Sequence, residues 1–267
     1  MPTDDPILLE IRGRVAIATL NRPASRNALD DEMVEALVAT CARVDADLGI
    51  SALVLAANGP AFCAGGNVKD MHARTGMFGG SAAEMRRAYR AGIQRIPLAV
   101  HGVEVPVIAA VGGPAVGAGF DLALMCDIRL AAAEATFAES FIRLGLVSGD
   151  GGAWLLQRVA GVSRAYQMTL TGDAISVEQA LLWGIVSSVH PADRLLPEAV
   201  AIAERIASHP PHSVRLNKRM LRAAERTTLA ESLETAAALQ SIVQHTDDLR
   251  EGVAAAIEKR KPRFTGR

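Results

Sequence analysis

Aromatic side chains are scarce, at 4% of the 267 residues. A surface that stacks nucleobases needs more of them. Net charge is scarce as well: the formal balance is −1. There is no strong basic stripe for nucleic acid and no broad attraction to an anionic membrane. Cysteine is limited to Cys41, Cys63 and Cys126, far apart and in apolar settings. That argues against a disulfide framework or a zinc site, and for a reducing cytosol. Cys63 precedes Ala-Gly-Gly, so a nucleophile is weighed there against a small buried hydrophobe; no histidine lies nearby in sequence to activate it. No apolar run reaches the ~18 residues that span a bilayer. The start, MPTDDPILLE, lacks the basic and apolar regions of a signal peptide. The expectation is a cytoplasmic protein with no nucleic-acid or membrane partner.

What is present is an ordinary globular composition, half hydrophobic and about a fifth charged. The length suits one α/β domain with a large core. VAIATL (15–20) reads as a strand, followed by the turn NRPASRNA. A helix then opens with Asp30, Asp31 and Glu32, where the dipole favours acid, and continues with Met33, Val34, Leu37, Val38, Cys41, Val44 and Leu48 at helical spacing. ALVLAA (52–57) is a strand buried on both faces, ending in the loop NGPAFCAGGN. Ser81-Ala-Ala-Glu84 is a capping box that predicts a helix to about Ile96. PVIAAVGGPAVGAG (106–119) reads as a strand running into glycines, FDLALMCD (120–127) as a buried helix, and IRLAAAEATF (128–137) as the next strand. Ser176-Val-Glu-Gln179 is a second capping box, with Gly184 as the stop. From Ala192 to Arg260 the pattern is helical, with breaks at His209-Pro-Pro, Thr227 and His245–Asp248. This describes an α/β protein with a core over 1–191 and a helical region of the same domain over 192–267.

Two loops, FCAGGN (62–67) and VGAGFD (116–121), share a layout. Each follows a buried strand and precedes helix-compatible sequence. Small residues admit a ligand close to the backbone, and a helix start leaves N–H groups to receive negative charge. Taken alone, each is read as a tight turn before it is read as a site. Neither has the Lys-Ser/Thr ending of a phosphate-binding loop.

Taken in order, RPASRNAL, GPAFCAGGNVKD, PVIAAVGGPAVGAGFDLALMCDIRLAA, LTGDAISVEQALLWGIVSSV and EGVAAAIEKRKPRFTGR resemble the crotonase (enoyl-CoA hydratase/isomerase) superfamily over nearly the whole chain. The resemblance implies a spiral of ββα units, a helical C-terminal region that makes oligomer contacts, and a homotrimer or a hexamer formed from two trimers. It implies a CoA thioester substrate, no cofactor and no metal. It places two backbone donors for an enolate at Gly66 and Ala118. Phosphate contacts fall on Arg22 and Arg26, and pantetheine and adenine contacts on Ala28, Ala64, Asn67 and Val68. Lys261 and Phe264 would lie by the CoA of a neighbouring subunit. Without the resemblance, Arg22 and Arg26 could be solvated loop arginines.

Family hydratases use two glutamates. The first position carries Asp121 here, a carboxylate one methylene shorter, as in the family's dienoyl-CoA isomerases. Its bland reading is an Asp satisfied by backbone N–H groups early in its own helix. The second position falls on Phe141, which cannot move a proton and makes part of the pocket apolar. Two acids are candidates to replace it. Asp150, in SGDGG, stands at the expected start of a helix, either as a catalytic acid or as an N-cap. Glu139 is either a substitute or a surface or interface acid. Asp150 acting with Asp121 is the favoured pair. His101, His190, His209, His212 and His245 lack metal spacing and are read as structural. The expected activity is that of an enoyl-CoA hydratase/isomerase acting through an enolate. The alternatives are a double-bond isomerase without hydratase activity and a non-catalytic acyl-CoA-binding relative.

Overall fold

The described residues open on a hairpin whose second strand was expected and whose first was not. The computed structural model describes residues 5–267, and residues 1–4 of the acidic start lie outside them. Strand β1 (Ile7–Arg12) pairs antiparallel with β2 (Val15–Leu20). Helix α1 (Asp31–Ala46) follows, with Asp30 as its cap, the carboxylate accepting from Met33 N–H. Then come β3 (Ala52–Ala57), the short α2 (Val68–Ala73), α3 (Ala82–Ala91), α4 (Arg95–Gly102) and β4 (Val107–Val111). The expected helix over 81–96 is two helices. Gly92 ends the first by donating to the Ala88 carbonyl, and α4 restarts at Arg95.

Next are β5 (Ala115–Val116), α5 (Ala118–Met125), β6 (Ile128–Ala132) and β7 (Thr136–Ala138). Two expectations shift here. The 106–119 segment divides into β4 and β5, and the buried helix starts at Ala118 rather than Phe120. The 128–137 segment is two strands in different sheets, because the exposed pair Ala133-Glu134 turns the chain between them. The remainder is α6 (Gly152–Ala160), α7 (Val162–Thr171), β8 (Ala174–Ser176), α8 (Val177–Leu182), β9 (Ser188–His190), α9 (Ala192–Ala207), α10 (Pro211–Ala224), α11 (Leu229–Val243) and α12 (Asp247–Glu258). The helix breaks expected at His209-Pro-Pro, Thr227 and His245–Asp248 fall between α9, α10, α11 and α12. Among the described residues no helix is long and apolar enough to cross a membrane.

The main sheet runs β1-β2-β3-β4-β6-β9, parallel after its first pair, and β5-β7-β8 form a smaller one. Strand β3 shows why ALVLAA needs no alternation. Leu53 and Leu55 enter the core under α1, α4 and α5, while Ala52, Val54 and Ala56 face Leu195, Ala199 and Ala203 of α9. Both faces are covered, so every position is apolar. Alanines on both sides let α9 lie close to the strands.

Candidate active site

The two glycine loops lie against each other. Phe62 and Cys63 donate their N–H groups to the Pro114 carbonyl at 3.1 and 3.3 Å, and Val116 N–H donates to the Cys63 carbonyl at 3.0 Å. A Cβ on Gly119 would stand 2.1 Å from the Cys63 carbonyl oxygen, so only glycine allows this approach. The backbone at Gly66 therefore runs near the start of α5. Ala118 is the first residue of α5. Its N–H belongs to the first turn, which has no acceptor within the helix. Gly66 directly precedes Asn67, the N-cap of α2.

The turn carrying the two arginines is tied to the first loop. Ala64 N–H donates to the Arg26 carbonyl at 2.9 Å and Leu29 N–H to the Gly65 carbonyl at 2.8 Å. Ala28, Ala64, Asn67 and Val68 thus cluster around Gly66, with Val68 exposed and Ala28 buried. Arg26 is exposed, in the left-handed region at φ 54, while Arg22 reaches Glu32 at 2.9 Å. Asn27 organises this turn and was not singled out from sequence. Wholly buried, it donates to the carbonyls of Asn58, Ala61 and Phe62 at 3.0, 3.1 and 3.2 Å, and accepts from Arg22 N–H at 2.8 Å. Phe264 packs over Gly252 on α12 of its own chain, and Lys261 is exposed.

Three carboxyl groups meet at the start of α6. Asp121 projects from the first turns of α5 and is 0% exposed. Its Oδ2 accepts from Gly152 N–H at 3.1 Å. The donor belongs to α6, so the reading of an Asp satisfied within its own helix does not hold. Glu139, placed by β7, is also 0% exposed, which overturns the surface or interface reading. A Cβ on Gly152 would stand 2.1 Å from Asp121 Oδ1 and 2.6 Å from Glu139 Oε1, so those oxygens are neighbours across a position that only glycine fits. Asp150 is 4% exposed and comes from the loop before α6. The N-cap of α6 is Gly151, at φ 107, so Asp150 does not cap the helix. Asp121 Oδ1 and Asp150 Oδ1 have no hydrogen-bond donor among the described residues, and Glu139 has the Ser148 hydroxyl alone.

Burial decides the protonation of this trio. Desolvation raises Asp121 well above the usual carboxylate range, helped by the charges of Glu139 and Asp150 and opposed only by the Gly152 N–H. Desolvation lifts Glu139 to about 7 and Asp150 to about 6. Among the described residues no cation bears on any of the three. Among the described residues no group of His, Cys, Asp and Glu is arranged to hold a metal ion.

Aromatic rings wall the region. Phe141 lies in a tight turn over 140–144, rather than on an extended segment, and its Cζ is 3.7 Å from where a Gly117 Cβ would stand. Phe78 and Met71 approach Gly66, and the Tyr89 ring approaches Gly149. Glu139 had one sequence signal: the period-two alternation from buried Phe137 points it inward. Cys63 is fully buried and its thiol is pushed up to about 12 by desolvation, which makes it a hydrophobe rather than a nucleophile. His101 sits within α4 and is pushed down to about 4, by burial first and then by Arg222.

Residues 10–267 match the family model described as enoyl-CoA hydratase/isomerase. The chain is 37% identical to the 1,2-epoxyphenylacetyl-CoA isomerase of Escherichia coli (strain K12), over 98% of each protein. It is 37% identical to a probable enoyl-CoA hydratase of Mycobacterium leprae (strain TN), over 98% of this chain and 99% of that protein. The crystal structure of an enoyl-CoA hydratase from Bacillus anthracis superposes with a TM-score of 0.92 at 32% identity, covering 98% of this chain and all of that one. The chain belongs to the enoyl-CoA hydratase/isomerase family, enzymes acting on CoA thioesters. Its mixed α/β architecture with a helical C-terminal region is the crotonase fold.

Proposed function

We propose that this enzyme moves protons on an enoyl-CoA thioester through an enolate whose oxygen is held by the N–H groups of Gly66 and Ala118. The observation that carries the reading is the convergence of two buried acids, Asp121 and Asp150, beside the paired glycine loops. Two titratable groups pushed apart by their surroundings divide the acid and base roles. Asp150, at about 6, is mostly ionised at neutral pH and serves as base. Asp121, raised further, keeps its proton and serves as acid. The carboxylate removes a proton from the acyl chain, the electron pair moves into the thioester carbonyl, and the two N–H dipoles hold the resulting charge without reorganising. Collapse of the enolate takes the Asp121 proton at the other end of the allylic system. The double bond has then shifted and the atoms balance. Arg22 and Arg26 are assigned to CoA phosphates, and Ala28, Ala64, Asn67 and Val68 to the pantetheine and adenine.

Hydration would require Asp150 to take a proton from water while oxygen adds to the β-carbon. Phe141, against Gly117 where family hydratases carry the second glutamate, favours isomerisation. The test is a panel of enoyl-CoA thioesters read by mass: hydration adds one water, isomerisation leaves the mass unchanged. Turnover of none would defeat the proposal. Ala118→Pro tests the oxyanion donor separately. Proline suits the first helical position but has no N–H, so kcat should fall by ~10²–10³. For assembly we propose a trimer or hexamer. Leu229, Leu233, Ile242, Val253 and Ile257 on α11 and α12 are 52–77% exposed, more apolar surface than an isolated helical pair usually leaves open. Light scattering that shows a stable monomer at micromolar concentration would contradict this.

A further inference from the structure

Glu139 has no place in the proton path just described, yet it is among the most thoroughly buried acids of the chain. We propose that Asp121 and Glu139 hold a single proton between Oδ1 and Oε1, and that Glu139 is a positioning residue that keeps Asp121 a proton donor. The inference rests on the reading of Asp121 as the acid.

Three observations support it. Both side chains are 0% exposed. The two oxygens flank the same empty Cβ position of Gly152, at 2.1 and 2.6 Å. Among the described residues Asp121 Oδ1 has no hydrogen-bond donor, whereas the other Asp121 oxygen has Gly152 N–H, and Glu139 has the Ser148 hydroxyl alone. Two like-charged oxygens cannot share a dry space, and one proton placed between them satisfies both and removes half of the charge. The surrounding groups supply no positive charge in its place. The groups facing the pair are the carboxyl of Asp150 before α6 and the hydroxyl of Ser148, whose oxygen accepts from Ala153 N–H at 3.1 Å and whose O–H is left to donate to Glu139. Neither is a cation. When Asp121 gives its proton to the substrate carbon, the new carboxylate faces Glu139, which is ionised as well. That repulsion drives reprotonation of Asp121 by the proton taken up at Asp150, and restores the pair.

Infrared spectroscopy of the substrate-free enzyme tests this without turnover. At pH 7 the wild type should show a protonated-carboxyl stretch that shifts in D2O. It should be lost in Asp121→Asn and also in Glu139→Gln, where a neutral amide donates to Asp121 and lets it ionise. Asp150→Asn should retain it. Absence of the band in the wild type, or its survival in Glu139→Gln, overturns the pairing. Should Glu139→Gln fail to fold, the wild-type band alone decides: it should titrate above pH 7 as one proton, and two protons or none defeats the proposal. With a turned-over enoyl-CoA, the alkaline limb of kcat/KM should move down by about one pH unit in Glu139→Gln. KM should change little, and Glu139→Asp should bring the limb part of the way back. A uniform loss of kcat at every pH would indicate a merely structural role. A panel with no turnover would defeat the proposed reaction and leave the infrared result standing.

Discussion

Two buried charge clusters in this molecule solve the same physical problem in opposite ways. Beneath α10, Asp127 is surrounded by opposite charge and by donors. Lys218 Nζ is 2.7 Å from Oδ2 and Arg222 Nη2 is 2.7 Å from Oδ1. Val107 N–H donates to Oδ2 at 2.7 Å, and Arg222 also meets His101. Lys218 uses a further donor on the Val105 carbonyl at 2.8 Å. Nearby, Arg215 reaches Glu104 at 3.0 Å and the Ile50 carbonyl at 3.2 Å. Every charge there has a partner, and the cluster fastens α10 to the sheet. At the start of α6, three acids meet with no cation among the described residues, and their donors are the Gly152 N–H and the Ser148 hydroxyl. Matched charges mark a device of the fold. An unmatched set costs stability and persists where a reaction uses it.

The same chemical change in each cluster separates the two roles, and gives the largest expected effects. Asp121→Asn should lower kcat by ~10²–10⁴, the range for loss of a general acid. It should leave binding of a saturated acyl-CoA unchanged and the folded protein no less stable. Asp150→Asn should reduce kcat over the same range. Asp127→Asn should do the reverse: it strands Lys218 and Arg222 and costs about 3 kcal/mol in a urea melt, while kcat per folded molecule stays close to wild type. If Asp127→Asn abolishes turnover in protein that is still folded, the division between the clusters is wrong.

Next in size is the response to pH. Asp150 is raised from 3.8 to about 6 and Glu139 from 4.5 to about 7 on folding, both by burial first. The folded state therefore binds more protons than the unfolded state between those values, so stability falls as pH rises through that window. Melts from pH 5 to pH 8 should show a declining midpoint, with a shallower slope in Asp150→Asn. A slope that is unchanged in that variant would mean the acid trio does not set it. The smallest effect concerns the surface. Arg22→Ala with Arg26→Ala should weaken a saturated acyl-CoA about tenfold by calorimetry, the size of one charge-assisted contact. Unchanged affinity would remove these arginines from the CoA site.

Much of the site was legible because it is written in backbone requirements. Gly65, Gly66, Gly117 and Gly119 mark places where chain must approach chain, and a lone acid inside the apolar α5 signals a purpose. Glu139 was harder to place. Its neighbourhood depends on β7 ending beside α5 and on α6 beginning with a residue that has no side chain. Asp150 was favoured as an acid but kept an N-cap alternative, because the left-handed turn that makes Gly151 the cap could not be read from the sequence. The first strand was missed because β1 is an edge strand with exposed Glu10 and Arg12, so its alternation is weak.

By itself the sequence determined the α/β class, the helix caps, the strands buried on both faces and the family, since each depends on neighbours a few residues apart or on ordered motifs. Only the tertiary structure decided the grouping of the acids. Asp121, Glu139 and Asp150 arrive from three separate elements. Their protonation follows from how completely those elements exclude water and how little positive charge they bring with them.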